Sequence, residues 1–371
     1  MRLVLALLLA ATGARAQVRH VGPFDTEDVA PPEDAADTDS AEGEEEGDEA
    51  AEAESHEAQP GIGPDIRYSA DLSDAELERR WQEDLAALGT ISVGFADQGR
   101  LINAVRMGED EAWVCQRPDL SWGTQEAVDA LQRAFRGVHA QFPSSAPARL
   151  SHIGAQEGGY LRPHRSHQSG RDADVGFFYK SDAWPRRGAR RDKLIDPARN
   201  WALIRALITL TDVQVILVDR SIQKVLRDYA LSIGEDRAWL DRVFKPGHTA
   251  MVQHARRHRD HFHVRFFAPR SQELGRRIQP LLAMRPEQNL AVHKVRPGQT
   301  LGHIAREYGS TIRAIQKVNH LRGSMLHLSQ RLLIPLRKPC TKCPLPPPVS
   351  VPARCLPPEQ PDVASLSAAT Q

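Results

Sequence analysis

Residues 25–58 carry 16 Asp or Glu side chains and not one Lys or Arg. A stretch so charged and so poor in large apolar side chains buries too little surface to offset the entropy of ordering its backbone. Folding is therefore expected downstream, and residues 17–64 read as an acidic disordered segment. The formal charge of zero conceals the opposite imbalance further on, where residues 59–371 hold 45 basic and 32 acidic side chains, a net of +13. A basic body suits an anionic polymer. Aromatic residues make up only 6 % of the chain, too few for the stacking platforms of single-stranded nucleic-acid binders, so a cell wall is the expected partner and nucleic acid is not. The same asymmetry also permits the acidic segment to fold back over the basic body.

Arg2 precedes an apolar run from Leu3 to Ala11, and Ala14-Arg15-Ala16 supplies a small-x-small cleavage pattern, so residues 1–16 read as a signal peptide. The run is about half the roughly 20 residues that span a bilayer, and no later stretch is apolar enough to cross one. A periplasmic or extracellular protein without a transmembrane segment is expected. Such compartments favour disulfides, and Cys115, Cys340, Cys343 and Cys355 allow three pairings that sequence does not separate. Cys340-x-x-Cys343 also has the spacing of half a zinc knuckle or of a redox pair, but the second ligand pair of a zinc finger is missing.

Ser73-Asp74-Ala75-Glu76 is a capping box before a helical stripe of Leu77, Trp81, Leu85 and Leu88, closed by Gly89. Ile91 to Phe95 and Leu101 to Val105 are strand candidates about the turn Asp97-Gln98-Gly99. Thr124 caps a helix whose Val128, Leu131, Phe135 and Val138 share a face. Further on, a strand is expected from Asp174 through Tyr179, a helix over Asn200 to Leu210, a buried strand over Val213 to Asp219, a helix over Ser221 to Leu231 and a strand over about Asp260 to Phe267. Helices alternating with hairpin-like strands, with no Gly-rich phosphate loop, predict an α+β fold.

Two segments concentrate the chemistry. His164, His167, Asp172 and Asp174 fall within eleven residues around Gly170, and His258, Asp260, His261 and His263 form the only comparably dense cluster downstream. Strand periodicity puts Asp172 and Asp174 on one face, and likewise His261 and His263, with Phe262 and Val264 turned to the core. Zinc takes tetrahedral nitrogen and oxygen ligands, three of them from protein at a catalytic site. The His-Glu-x-x-His helix is absent, which leaves the His167-x6-Asp174 pair plus one His of the His261-Phe262-His263 pair. His248 and His254 have no motif role.

Pro163 to Asp174 and His258 to Arg265 together resemble the penicillin-insensitive murein endopeptidases, within the group of zinc metallopeptidases that includes lysostaphin-type enzymes, D-Ala-D-Ala peptidases and the hedgehog fold. The resemblance implies an antiparallel sheet in a catalytic domain over residues 65–285. It implies that His167, Asp174 and His263 hold Zn2+, that His261 is the catalytic imidazole with His258 beside it, and that His164 lines the site. Asp172 and Asp260 would orient imidazoles. Zinc lowers the pKa of a bound water from 15.7 towards about 7, and attack of that water on a D-alanyl to diamino acid cross-link of peptidoglycan is the implied reaction. A D,D-carboxypeptidase or L,D-type peptidase on the same scaffold is the alternative chemistry, and a non-catalytic wall-binding protein the alternative class.

After a linker at residues 286–292, residues 293–336 give a strand, two short amphipathic helices and a closing strand. They resemble a LysM domain, a small βααβ binder of N-acetylglucosamine-containing glycan, with His293 where an aromatic is usual, Gln299 for Asp and Ser329 for Gly. Residues 337–371 form a Pro-rich, Cys-containing tail, with Pro346-Pro347-Pro348 suited to polyproline II geometry.

Overall fold

The computed structural model describes residues 71–358 apart from Arg162, Asp182, Ala183, Arg187, Pro246, His248, Thr341 and Lys342. The expected signal peptide, the acidic segment, its fold-back and the end of the tail lie outside the described residues.

Helix α1 (Asp74–Glu83) starts at the capping box, with the Ser73 hydroxyl accepting from the Glu76 amide at 3.2 Å and so satisfying one of the donors a helix leaves unpaired at its start. It buries Leu77 and Trp81. The stripe does not run on as one helix: Asp84 ends α1 and caps a separate 3-10 turn over Leu85–Leu88, and Gly89, at φ +68°, closes it. Strands β1 (Ile91–Gly94) and β2 (Gly99–Ile102) pair as the expected hairpin, although both are shorter than the apolar runs suggest. β3 (Val105–Arg106) pairs with β5 (Trp122–Gly123), while β4 (Trp113–Cys115) joins the main sheet. Thr124 caps α2 (Gln125–Gln141), which buries Val128, Leu131, Phe135 and Val138.

β6 (Ala148–His152) and β7 (Asp172–Gly176) follow. β7 begins two residues earlier than expected and stops at Gly176, because the Asn200 side chain takes both backbone groups of Phe178 at 3.1 and 2.6 Å and pulls the chain off the sheet. A short helix α3 (Arg191–Leu194) precedes α4 (Pro197–Leu210), which starts ahead of Asn200 because Asp196 caps it and Pro197 fits its first turn. Then come β8 (Val213–Val218), α5 (Arg220–Ser232), α6 (Arg237–Val243), β9 (Val252–His254), β10 (His261–Phe266) and α7 (Pro269–Arg277).

The main sheet has six strands in the order β4-β6-β7-β10-β8-β9. Its four inner strands are antiparallel, and each edge strand runs parallel to its neighbour. Leu150, Ala173, Val175, Phe262, Val264, Ile216 and Val218 point to one face and pack with α2 and α4 in the principal core. Period-two alternation sends the intervening residues to the other face, and these carry the ionisable groups. A second core joins α1, β1, β2 and α7 through Trp81, Ile91, Ile102, Leu274 and Ile278. There α7 lies so close to β1 that a Cβ on Gly275 would stand 1.9 Å from the Ser92 carbonyl oxygen.

The C-terminal module comprises β11 (Leu290–Lys294), α8 (Leu301–Glu307), α9 (Ile312–Val318) and β12 (Arg331–Pro335), with its own core about Ile304, Ile315, Leu332 and Ile334. Two of its unusual residues meet: buried His293 bonds Gln299 Oε1 at 2.8 Å through Nε2 and Tyr308 at 3.0 Å through Nδ1. Ser329 sits at φ +63°, a conformation that favours glycine. The β1–β2 turn meets this module, with Gln98 donating to the Val292 carbonyl at 2.7 Å, Arg100 to Gln288 Oε1 at 2.6 Å and Asp97 lying 3.4 Å from Arg331. Cys340 and Cys343 form a disulfide and Cys115 and Cys355 are free thiols. Beyond the disulfide the tail buries Val349 and Val351, and the Cys355 carbonyl accepts from the Trp239 indole at 2.8 Å. Among the described residues no helix is long and apolar enough to cross a membrane.

Candidate metal centre

On the polar face of the sheet, Asp174 of β7 has His263 of β10 as its partner on one side and His152 of β6 on the other. The loop between β6 and β7 brings His164 and His167 over this row. Its course is fixed by backbone bonds to its surroundings: Gln168 N to Ala96 O at 3.1 Å, Gly159 N to Gln168 O at 2.8 Å and Thr124 N to Gly170 O at 2.8 Å. The Ser92 hydroxyl adds a bond to the Ser169 carbonyl at 2.9 Å. Gly170 is needed at its turn, since it lies at φ +74° and a Cβ there would come within 2.6 Å of Leu101. His167 itself is fully buried at φ +65°, a left-handed conformation that costs about 1–3 kcal/mol in a non-glycine residue. The surrounding bonds hold it there.

Hydrogen bonds decide which nitrogen each ring presents. The Nδ1–H of His167 donates to the Ile153 carbonyl at 2.8 Å, so in the neutral ring Nε2 carries the lone pair. That Nε2 lies 3.2 Å from Asp174 Oδ1. His263 is held the other way round: Nε2 donates to Asp172 Oδ1 at 2.9 Å and Nδ1 faces Asp174 Oδ1 at 3.0 Å. Asp172 Oδ1 also accepts from Arg265 at 2.6 Å. The second Asp174 oxygen is approached by His152 at 3.3 Å, His261 at 3.6 Å and His164 at 3.8 Å. Five imidazoles thus surround one carboxylate.

The charges follow from this packing. Burial pushes the Asp174 carboxyl up, but His167, His261 and His152 outweigh it and hold the group well below the usual carboxylate range. Burial likewise raises Asp172, and the charges of Arg265 and His263 more than reverse that. Burial alone would depress His263; its bonds to Asp172 and Asp174 instead raise it to about 9. His152, His164 and His258 are pushed down by burial to about 2, 4 and 3, so these rings are neutral near pH 7. His261 is raised against its burial by Asp174 and Asp260.

All eight residues singled out in the sequence lie at or beside this cluster. Asp260 Oδ1 accepts from His261 Nδ1 at 2.8 Å. His258 donates through Nδ1 to the Arg256 carbonyl at 2.8 Å, and its ring centre lies 5.0 Å from that of His261 and 5.7 Å from that of His263. His254 is elsewhere, accepting from the Arg220 amide at 3.1 Å, and His248 lies outside the described residues. His152 is the member of the cluster that no sequence motif singles out. It ends β6, and only the pairing of β6 with β7 sets it opposite Asp174; the one local sign is an imidazole closing a short strand. One donor atom each from His152, His164, His167 and Asp174 lie within 4.8 Å of one another, a nitrogen and oxygen set that suits a divalent metal such as zinc.

A family model described as penicillin-insensitive murein endopeptidase matches residues 92–285, a span that contains every imidazole of the cluster. The chain belongs to this murein endopeptidase family. It is accordingly a peptidoglycan hydrolase, and the metal-compatible group of His152, His164, His167 and Asp174 lies inside the matched span. Residues 293–335 match the LysM domain, so the βααβ module at the C-terminus is a LysM domain, and its His293–Gln299 bond keeps the two departures from the usual pattern in mutual contact. No curated protein matches the chain.

Proposed function

We propose that the protein is an exported zinc endopeptidase that hydrolyses D-alanyl to diamino acid cross-links in peptidoglycan, with its LysM domain holding the glycan. The observation that carries this reading is the shared oxygen of Asp174, approached by His167 Nε2 at 3.2 Å and by His263 Nδ1 at 3.0 Å. His167 Nε2 is buried and makes no hydrogen bond among the described residues, as expected of a nitrogen kept for a ligand. His167, Asp174 and His263 would hold the metal. Zn2+ in this position would supply polarisation of the scissile carbonyl and acidification of a water at neutral pH.

The chain's own groups do the rest. His261, anchored at Nδ1 by Asp260, directs Nε2 to the Asp174 side of the cluster. It takes the proton of the attacking water at Nε2, and Asp260 stabilises the imidazolium so formed. His258, whose Nδ1 is committed to the Arg256 carbonyl, keeps an unprotonated Nε2 as a second acceptor. His164 walls the site by packing on His152 and His167 at ring distances of 4.3 and 5.0 Å.

One observation favours a second ligand set. His152 Nε2 is also buried without a hydrogen bond and lies 3.3 Å from Asp174 Oδ2, which would make His152, His164, His167 and Asp174 the donors. Against it, the carboxylate behind His263 is the usual support of a metal-bound imidazole, and His152 has no such support among the described residues.

Digestion of purified peptidoglycan, with and without a chelator, tests the reaction. Conversion of cross-linked dimers to monomers, abolished by the chelator and restored by zinc, is expected. Release of terminal residues alone, with dimers intact, would mark a carboxypeptidase, and chelator-insensitive cleavage would remove the metal from the reaction.

A further inference from the structure

The polar face continues past the imidazole cluster. In the next row the paired residues are Arg149, Gly176 and His261. Two strand spacings, about 10 Å in all, separate Arg149 from His261, and the residue between them has no side chain. Trp184 leans over this gap: a Cβ at Gly176 would lie 3.4 Å from Arg149 Cβ and 3.7 Å from the indole. The Arg149 guanidinium stacks on that indole at 5.3 Å, and the indole stands edge-on to buried Tyr179 at 5.6 Å. Trp184 is nonetheless 47 % exposed, a large apolar ring held at the surface beside the row that ends in His261.

Two further observations point to a ligand. The buried Tyr179 hydroxyl lies against the Arg191 guanidinium, which can only donate, so the Tyr179 O–H, like the buried Arg191 Nε, has no acceptor among the described residues, a cost that a bound acceptor would remove. Arg149 and Arg191 both act electrostatically on the Tyr179 hydroxyl, and Arg191 acts on Asp260 as well. The ground on this side of His261 therefore combines two guanidinium groups and two aromatic rings with the Asp260 carboxylate, whereas the cluster itself is built on two buried carboxylates.

We infer that Arg149, Trp184, Tyr179 and Arg191 form a subsite for a carboxylate of the peptide substrate. The guanidinium groups take the anion, the indole covers the adjoining aliphatic segment, and Gly176, which carries no side chain, leaves the indole room to lie beside the row that ends in His261. The inference rests on the peptidase reading. Arg149 and His261 start two strand spacings apart, a span that about three residues of extended peptide cover at about 3.5 Å each, so the carboxylate belongs close to the scissile amide.

Two synthetic cross-linked peptides test this, one with free carboxylates and one with them converted to primary amides. Their binding is measured by calorimetry, and their hydrolysis by rate, on the wild type, Arg149→Gln and Trp184→Ala. The wild type should bind the carboxylate peptide at least about tenfold more tightly, as a charge-assisted hydrogen bond supplies. Arg149→Gln should erase that preference by raising KM for the carboxylate peptide with kcat kept, and Trp184→Ala should weaken both peptides. Equal wild-type affinity for the two peptides, or an Arg149→Gln protein that loses both alike, overturns the subsite. Discrimination in binding without hydrolysis would keep the subsite and refute the peptidase reading; hydrolysis without discrimination would refute the subsite alone.

Discussion

Asp172 holds His263 by its Nε2 at 2.9 Å, and so settles that Nδ1 is the nitrogen turned to Asp174. Arg265 in turn fixes the same carboxylate oxygen at 2.6 Å. Removing the negative charge while keeping the shape, Asp172→Asn, should lower zinc affinity about 10–100-fold, the usual loss when the support of a metal-bound imidazole is removed. Competition against a fluorescent chelator measures it, with circular dichroism to show that the fold persists. Unchanged affinity would mean that Asp172 serves only to neutralise Arg265.

Substitution by alanine separates the two ligand sets. His167→Ala, Asp174→Ala and His263→Ala should each purify without zinc, whereas His261→Ala should retain a full equivalent and lose turnover. His152→Ala decides between the sets. Retained metal in that variant supports His263 as the third ligand, and lost metal with His263→Ala still loaded supports the other arrangement.

The metal-free protein should be most stable near pH 6.5. His152, His164 and His258 have folded-state values depressed to about 2, 4 and 3. Below their unfolded value of about 6.5 the unfolded chain binds protons that the folded chain refuses, so stability falls as pH falls from 6.5. His263, raised to about 9, works in the other direction: its contribution is complete below about 6.5 and is lost as pH rises through 9. Each proton contributes a slope of at most about 1.4 kcal/mol per pH unit, so three groups on the acid side should make that limb the steeper. Urea unfolding of the chelated protein at a series of pH values would show it; a flat profile from 5 to 7 would contradict the buried, neutral state of these rings.

Gly275→Ala tests the contact between α7 and β1. The new methyl would meet the Ser92 carbonyl oxygen at 1.9 Å, and overpacking of this kind costs about 1–3 kcal/mol. Gly302→Ala in α8 meets nothing closer than 3.7 Å and should gain about 0.5–1 kcal/mol from the better helix former. Denaturant midpoints compare the two. Because Ser92 also bonds the Ser169 carbonyl in the β6–β7 loop, Gly275→Ala should weaken zinc retention as well.

The parts of the site that lie on single strands are legible in the sequence. His261 and His263 against Phe262 and Val264, or Asp172 with Asp174, need only the two-residue period of a strand. The inter-strand register is not legible there, and register is what sets His152 opposite Asp174 and Arg149 opposite Gly176. Nor does the sequence show that Asn200 captures Phe178 and ends β7 at Gly176. The roles of Asp172 and Asp174 separate only through hydrogen bonds to a residue some 90 positions away. In the LysM domain the strand-helix-helix-strand order follows from periodicity, whereas the bond between His293 and Gln299 follows from side-chain packing alone.

The β1–β2 hairpin touches two things at once: its Ala96 carbonyl receives Gln168 of the β6–β7 loop, and its Asp97, Gln98 and Arg100 meet the LysM domain and the segment leading into it. A binding module joined by a slack leash lets its enzyme sweep a volume. One set against a turn that also braces the β6–β7 loop would work as a ruler, with the distance between bound glycan and cleaved bond written into the protein and not into the wall.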